Sequence, residues 1–225
     1  MSAARSVTHV VALVSLSAGL AGCGQVGYRG AISLAHSRPF PTEVASPLPA
    51  GVDPMAGLQQ RPMRPPTLAP YETCAASVTN DLGGVSPNYG AGSGPAYLSG
   101  QNSWYSGGQA AFLMVDSRYS GPLLVRPFQL RGGDGKSTVT LADFPLPDND
   151  SFVDKERQHG VALVQAVHTP GDGLYFGAVA PTSLWRGWEG RLATDSPGCF
   201  GFQVDGDVFT EFIVFEVNPG NAPPG

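Results

Sequence analysis

The sequence predicts an all-β fold, an antiparallel β-sandwich over residues 71–218. Short runs rich in β-branched and aromatic residues alternate with Gly, Pro and Asp breaks, as in strands joined by turns. No segment shows a sustained apolar period of about 3.6 residues, so we expect few helices. Gly and Pro contribute 30 and 21 of the 225 residues, and this composition suits a turn-rich β protein.

The first 22 residues have the parts of a secretory signal peptide. Arg5 provides a basic head, an apolar run covers residues 10–20, and small residues precede Cys23. The run is shorter than the roughly 20 apolar residues that a bilayer span needs. We therefore expect residues 1–22 to be removed during export.

The segment Leu20-Ala21-Gly22-Cys23 resembles the lipobox of bacterial lipoproteins, in which an aliphatic residue, a small residue and Gly or Ala precede a Cys. The resemblance implies that the Cys23 thiol is diacylated and that Cys23 becomes the first residue of the mature chain. Several acyl chains anchor a protein firmly, since each buried CH₂ contributes about 0.8 kcal/mol. The implied location is the bacterial cell envelope, on a membrane and facing outside the cytoplasm. The alternative is an ordinary signal peptide with a chance Cys near the cut.

Residues 23–70 are expected to form a disordered tether between this anchor and the domain. Prolines recur from Pro39 to Pro70, and Pro removes backbone donors and favours extended neighbours. Residues 81–108 are rich in Gly and are expected to form a long surface loop. Residues 219–225 are expected to be a disordered tail.

A β-hairpin near the C-terminus is the best-defined element of the predicted domain. Phe200, Phe202 and Val204 alternate with Gly or polar residues, as a half-buried strand requires, and Asp205-Gly206 suits a tight turn. Strand spacing of this kind favours a sandwich or a barrel. The predicted strands are 110–116, 122–131, 137–142, 161–168, 174–180, 190–194, 199–205 and 208–217.

The segment around Cys199 resembles the penultimate strand of immunoglobulin-like domains. In those domains an Asp and a Gly precede an aromatic residue and a Cys, whereas here Asp195 and Gly198 precede Cys199, and Phe200 follows it. The resemblance implies an Ig-like sandwich and no activity. Further segments look like sequences of uncharacterised exported bacterial proteins, from which no function carries over; they are 119–126, 130–132, 197–206 and 212–215.

Two cysteines remain if Cys23 is lipidated, namely Cys74 and Cys199. Outside the cytosol an even number of remaining cysteines suggests a disulfide. A bridge between them would close most of the predicted domain into a loop, which chain-entropy models value at roughly 4 to 5 kcal/mol. Two separate buried thiols are the alternative.

Composition and short motifs argue against several classes of partner. The net charge of −5 disfavours nucleic acid as a partner, because nucleic-acid binding needs a basic surface.

The segment 132–137 lacks the first Gly of a phosphate loop and is expected to be a hairpin turn. The aspartates in 148–154 lack the EF-hand order, so a solvated acidic loop is expected rather than a Ca²⁺ site. His159 and His168 form no close zinc-binding pair. We therefore predict no metal, cofactor or catalytic residue.

Four glutamates keep one enzymatic alternative open. A glycosidase uses a pair of carboxylates, and such a pair could come together from different strands. A solvated acidic face is the other interpretation of the same residues. They are Glu156, Glu189, Glu211 and Glu216.

Trp104, Tyr105, Trp185 and Trp188 are the candidate ligand-binding residues. Exposed aromatic side chains stack on sugar rings or fill peptide pockets, and Trp is common at binding hot spots. Packing in the core is the alternative for these side chains. We therefore expect a non-enzymatic binding or structural module with a cell-surface glycan or protein as its partner. A hydrolase of polysaccharide or peptide and an accessory subunit of an envelope complex are the alternatives.

Overall fold

The computed structural model describes most of the predicted domain and part of the predicted tether. No helix among the described residues is long and apolar enough to cross a membrane. Several predicted features lie outside the described residues: the signal peptide, Cys23, the turn predicted at 132–137, the acidic loop at 148–154 and Glu156. The described residues are 40–69, 72–85, 87–99, 103–131, 139–143, 157 and 159–220.

Two β-sheets pack face to face and confirm the all-β sandwich. In the first sheet, the seven strands within the described residues are β1 (Glu43–Val44), β5 (Ser103–Tyr105), β7 (Leu123–Arg131), β10 (Val167–Thr169), β11 (Gly173–Phe176), β13 (Gly198–Gly206) and β14 (Phe209–Asn218). They run in the order β1-β14-β13-β7-β11-β10, and β5 adds to the far end of β14 in parallel. All other pairs in this sheet are antiparallel.

The second sheet also has seven strands in the described part of the chain. They are β2 (Thr79–Asp81), β3 (Tyr89–Ala91), β4 (Ala96–Ser99), β6 (Gln109–Val115), β8 (Val139–Asp143), β9 (Val161–Leu163) and β12 (Trp185–Thr194). Their order is β2-β3-β4-β6-β12-β8, and β9 adds to the start of β12 in parallel. The Ig-like strand order implied by the resemblance stays a prediction.

Most predicted strands match observed ones, with two informative differences. The strand predicted at 161–168 is two strands, because the chain leaves the second sheet after β9 and enters the first sheet at β10. The stretch 81–108, predicted as a loop, contains the last residue of β2 and all of β3, β4 and β5. These strands have only three or four residues each, so their alternation is too brief to stand out in the sequence.

The core between the sheets is built from alternate residues of the long strands. Phe200 and Phe202 from β13 meet Phe215 from β14, with the rings of Phe202 and Phe215 centred 5.2 Å apart. Trp104 packs edge-on against Phe215 at 6.2 Å. Full burial of each such side chain stabilises the fold by about 1.5 to 3 kcal/mol, so this aromatic cluster is the centre of the sandwich.

Residues 40–69 and 72–77, which together we call the strap, pack along the outer face of the first sheet. Helix α1 (Pro54–Gln59) begins with an Asp53 cap, whose carboxylate accepts the Ala56 N–H at 3.0 Å, and lies against β7 with Leu58 buried. Here the structure differs from the tether expected over 23–70. Residues 40–69 are rich in Pro but are folded against the sheet. Their buried apolar side chains and their hydrogen bonds to the sheet stabilise this folded form.

Polar bonds fix the strap to the sheet below it. The Arg61 guanidinium donates to the carbonyls of Ser46 at 2.9 Å and Asp207 at 2.7 Å, and further to those of Gly206 and Phe209. Gln203 accepts the Arg64 N–H at 2.7 Å and donates to the Pro62 carbonyl at 3.0 Å. These bonds join the segment 46–64 to β13 and β14.

The predicted disulfide is present, and it also attaches the strap to the first sheet. The Cα atoms of Cys74 and Cys199 lie 5.3 Å apart, and the bridge spans 125 residues of sequence. Both cysteines are buried in a second apolar cluster with Phe40, Phe212 and Val214, outside the main core. The bridge therefore holds the end of the strap onto β13.

Candidate binding site at one end of the sandwich

Four connections meet where β3, β6, β11 and β13 end and where β4, β7, β12 and β14 begin; we call this the loop end. The connections are residues 92–95, 116–122, 177–184 and 207–208. The Asp116 N–H donates to the Pro95 carbonyl at 2.9 Å, and the Val179 N–H donates to the Ser120 carbonyl at 2.9 Å. The connections thus support one another through backbone bonds.

A pocket of about 360 Å³ opens at the loop end. It is lined by residues 93–95 and by Tyr97, Asp116, Arg118 and Tyr119. Aromatic rings and a few placed polar groups are the usual lining of small-molecule sites. The pocket is therefore the strongest candidate site among the described residues.

Asp116 and Arg118 form a fixed ion pair at the pocket. Both carboxylate oxygens accept from the guanidinium, with Arg118 Nε 3.0 Å from Oδ1 and 3.1 Å from Oδ2, and the Arg118 N–H adds a bond of 2.8 Å. The hydrogen bond from the Arg118 side chain lowers the pKa of Asp116. The Asp116 side chain is buried, whereas that of Arg118 is 87% exposed. The pair therefore presents a paired guanidinium to solvent.

Tyr97 connects the pocket with Trp185. Their rings are centred 5.7 Å apart on the outer face of the second sheet, and both side chains are half-buried. Burial raises the pKa of Tyr97, and the nearby charges of Glu211 and Asp116 add to the effect. The phenol therefore stays protonated at neutral pH, and its hydroxyl has no hydrogen-bond partner among the described residues.

Tyr119 forms the opposite wall and is held on several sides. Its hydroxyl lies 2.7 Å from the Pro122 carbonyl and 2.9 Å from Asp207 Oδ1, and it accepts the Asp207 N–H at 3.0 Å. Its ring packs edge-on against Phe209 at 5.0 Å. Burial raises the pKa of this phenol strongly. Tyr119 is thus a rigid, neutral wall.

A buried guanidinium ties the connections together behind Tyr119. Arg186 donates to the carbonyls of Gly177 at 3.1 Å and of Tyr119 and Gly121 at 3.0 Å. Its Cζ atom lies 5.6 Å from the centre of the Tyr119 ring, within the range of a cation–π contact. Burial lowers its pKa. Arg186 therefore positions the pocket wall.

Glu211 holds the other wall from inside the sandwich. Its Oε1 atom accepts the N–H groups of Ser93 at 2.6 Å and Gly94 at 2.7 Å, and Oε2 accepts that of Ala96 at 3.1 Å. The side chain is fully buried. Burial raises its pKa from 4.5 to about 7, against the lowering effect of the three backbone bonds. Glu211 therefore shapes residues 93–96 and is enclosed by them.

The glutamates considered for a glycosidase lie in three different places. Glu211 points into the sandwich, whereas Glu216 has the opposite parity on β14 and points outward. Glu189 alternates with the core residue Trp188 and so faces outward from the second sheet. No two of these three carboxylates share a site, and Glu156 lies outside the described residues.

The four predicted aromatic residues are not brought together. Trp104 and Trp188 are each only 3% exposed, and the indole N–H of Trp188 donates to Asp143 Oδ1 at 2.6 Å. Trp104 and Tyr105 lie on β5, which pairs with the far end of β14, away from the loop end. Core packing, the alternative considered for these residues, is the outcome for Trp104 and Trp188. Trp185 alone lies near the pocket.

Sequence reasoning missed the residues that line the pocket. Asp116, Arg118 and Tyr119 directly follow a strand that was predicted correctly, and polar residues at the end of a strand are a common sign of a site. Tyr97 lies in the stretch that was predicted to be a loop. Their proximity depends on strand pairing between distant segments, which composition does not reveal.

No other region of the described residues offers a stronger candidate site. No group of three or more His, Cys, Asp or Glu residues within it could hold a metal ion. His168 lies 2.8 Å from Asp143 at an exposed position, and His159 is also exposed. Cavities of about 280 Å³ under the strap and about 400 Å³ beside the disulfide are lined mainly by residues with structural contacts.

Comparison of the chain with protein-family models, with curated proteins and with solved structures found no match.

Proposed function

We propose that this chain is a membrane-anchored envelope lipoprotein whose β-sandwich is a non-enzymatic binding module. The loop-end pocket is its binding site. The observation that carries the proposal is the half-buried pair of Tyr97 and Trp185, placed beside a pocket that the Asp116–Arg118 ion pair also lines. An aromatic surface next to fixed polar groups suits the reversible binding of a ligand.

The lipobox supports the anchor, and the strap indicates where the anchored chain joins the domain. Phe40 follows Cys23 by 17 residues, which span at most about 60 Å when fully extended. The Ser93 hydroxyl donates to the Phe40 carbonyl at 2.5 Å, and the Thr42 hydroxyl donates to the Gly94 carbonyl at 2.6 Å. The chain thus joins the domain beside the pocket wall.

The state of the ionisable groups supports binding rather than catalysis. Asp116 is paired with Arg118, and Glu211 accepts three backbone N–H groups in an enclosed position. A general base or nucleophile must reach the substrate, and neither carboxylate is presented in that way. The pocket is therefore suited to hold a ligand without attacking it.

Membrane fractionation and intact-mass measurement of the natively expressed protein test the anchor. Wild type should be membrane-bound and carry the mass of its acyl chains, whereas Cys23→Ala should lose both properties. If both proteins are soluble and are cut at another site, the lipoprotein proposal fails. The binding proposal then applies to a secreted protein.

Binding to immobilised cell-envelope fractions tests the site. Trp185→Ala removes the ring behind Tyr97 and should weaken binding about tenfold, as loss of an aromatic hot-spot residue does. Tyr105→Ala is the matched control, since it removes a half-buried aromatic side chain at the opposite end of the sandwich. Equal binding by wild type and Trp185→Ala would remove the support for this site.

A hydrolase is the second candidate, and one observation favours it. The pKa of Glu211 is raised and that of Asp116 is lowered, and both charges act on Tyr97. Two carboxyls whose pKa values are pushed apart are typical of acid–base pairs. Turnover of an envelope polysaccharide or peptide that Glu211→Gln abolishes, without a loss of binding, would favour the hydrolase.

A further inference from the structure

The pocket has the chemistry of a site for uncharged, ring-shaped molecules. We infer that it takes a neutral sugar unit of a glycan, an inference that rests on the proposal that the loop-end pocket is the binding site. Three properties of the pocket support this ligand class: the balance of its charges, the state of its backbone groups and the pairing of aromatic with polar walls.

The charges around the pocket are either paired with each other or placed behind its walls. Asp116 and Arg118 neutralise each other, whereas the two Nη atoms of Arg186 donate to three carbonyls behind Tyr119 and its buried Nε has no partner among the described residues. Glu211 is enclosed by three N–H groups behind the opposite wall. A charged ligand would lose hydration without gaining a free counter-charge, which is unfavourable. The pocket therefore favours a neutral ligand.

The backbone of the wall is unsuited to pairing with a peptide. The N–H groups of Ser93, Gly94 and Ala96 all donate to Glu211, and Pro95 has none. The carbonyl of Gly94 accepts from Thr42, and that of Pro95 accepts from Asp116. Extended peptides usually bind by adding main-chain hydrogen bonds to a free edge. A ligand that binds here must use the side chains instead.

The side chains offer one apolar surface and several hydrogen-bonding groups. Tyr97 presents a ring supported by Trp185, and its hydroxyl has no partner among the described residues. Arg118 uses Nε and one Nη nitrogen on Asp116, and its other Nη nitrogen has no partner in the described part of the chain. A sugar ring has an apolar C–H face that stacks on a ring and hydroxyl groups that bond to such donors.

The volume limits how much of a glycan is bound. Ligand pockets usually measure about 300 to 1,000 Å³, and this one, at about 360 Å³, is near the lower limit. It suits one or two sugar rings. Because the pocket is open to solvent at the loop end, the rest of a longer glycan chain can extend outward.

The test is a fluorescence titration of the full mature chain with defined probes. Trp104 and Trp188 are 3% exposed, so a ligand against Tyr97 should change the emission of Trp185, and Trp185→Phe should remove that response. The probes are chitotetraose and maltotetraose as neutral sugars, oligogalacturonate as an acidic sugar, and a neutral and a basic tetrapeptide. We expect a saturable response to a neutral sugar at millimolar concentration or below.

Two pocket variants and one control separate the inference from the proposed function. Tyr97→Phe keeps the ring and removes one donor, and Arg118→Ala removes an exposed side chain; each should weaken sugar binding about tenfold. Tyr89→Ala should have no effect, because that tyrosine is 57% exposed and lies outside the pocket.

Each outcome decides a different claim. Binding of a neutral sugar that only the pocket variants weaken supports both the site and the ligand class. Binding of the acidic sugar or a peptide instead, with the same dependence on the pocket variants, overturns the ligand class and leaves the site intact. Sugar binding that the pocket variants leave unchanged, or no response to either neutral sugar, overturns the inference.

Discussion

Glu211 should make the stability of the domain decrease as the pH rises through the weakly acidic range. Burial raises its pKa from 4.5 in the unfolded chain to about 7 in the fold. Between these values the folded protein keeps a proton that the unfolded chain has released. The contribution of Glu211 is therefore fully present below pH 4.5, is lost as the pH rises to about 7, and stays constant above that.

The magnitude follows from the two pKa values. At about 1.36 kcal/mol for each pKa unit, the interval from 4.5 to about 7 corresponds to about 3 kcal/mol of unfolding free energy. For a domain of this size that is a change of roughly 10 °C in Tm. Asp116, whose pKa is lowered, acts in the opposite direction, since its contribution is lost as the pH falls. A comparison of variants is therefore needed to isolate Glu211.

The assay is urea unfolding of wild type and Glu211→Gln from pH 4 to pH 8, followed by Trp fluorescence with the disulfide intact. Gln carries no charge at any pH, so the variant should gain about 3 kcal/mol relative to wild type between pH 4.5 and 8. Glu43→Gln is the matched control, because it removes a carboxylate from an exposed position on the neighbouring β1. A difference between wild type and Glu211→Gln that does not change with pH would refute the reasoning and indicate that the three N–H bonds offset the burial.

Three further predictions concern the parts that hold the fold together. Removing the disulfide as Cys74→Ala/Cys199→Ala should lower the urea unfolding free energy by about 4 kcal/mol, since the closed loop spans 125 residues; an unchanged midpoint would contradict this. Arg61→Lys cannot reach the four carbonyls that the guanidinium binds, so hydrogen exchange in α1 should accelerate about tenfold or more while β13 stays protected. Trp188→Phe removes the bond to Asp143 and leaves a smaller ring in the core, so it should cost about 2 to 3 kcal/mol in the same unfolding assay; an unchanged unfolding free energy would contradict this.

The sandwich could be predicted because its main strands carry their pattern locally. In β13, Phe200, Phe202 and Val204 alternate with Gly201 and Gln203, and burial against the other sheet requires this period of two. The disulfide could be predicted by counting cysteines. The strand pattern can be recognised from neighbouring residues alone. The disulfide needs only the number of cysteines and the expectation that the domain lies outside the cytosol.

The strap could not be predicted, because Pro-rich composition describes the backbone but not its partners. Gln203 was expected on the solvent face of the hairpin and Asp205 in its turn, yet both lie on β13 and are buried. Asp205 pairs with Arg126 at 2.5 Å, and Gln203 binds the backbone at Pro62 and Arg64. A polar outer face is compatible with either solvent or a covering segment, and the sequence does not distinguish the two.

The candidate site was only partly foreseen for a related reason. Trp185 was identified by residue type alone, while the pocket needs Tyr97 from one strand and Asp116 from the end of another. Glu211 was identified as a carboxylate, but its inward position between Phe209 and Ile213 indicated a buried group rather than a solvated one. Alternation along β14 was the available evidence for that assignment.

The strap also determines when the domain can fold during synthesis. Residues 40–77 leave the ribosome before any strand of the first sheet except β1 exists, and the strands they cover with the most bonds, β13 and β14, are the last to be made. Contacts between such distant segments form slowly. An incomplete chain therefore lacks the surface on which its own N-terminal segment must rest. The strap can pack onto the first sheet only after β13 and β14 have been made.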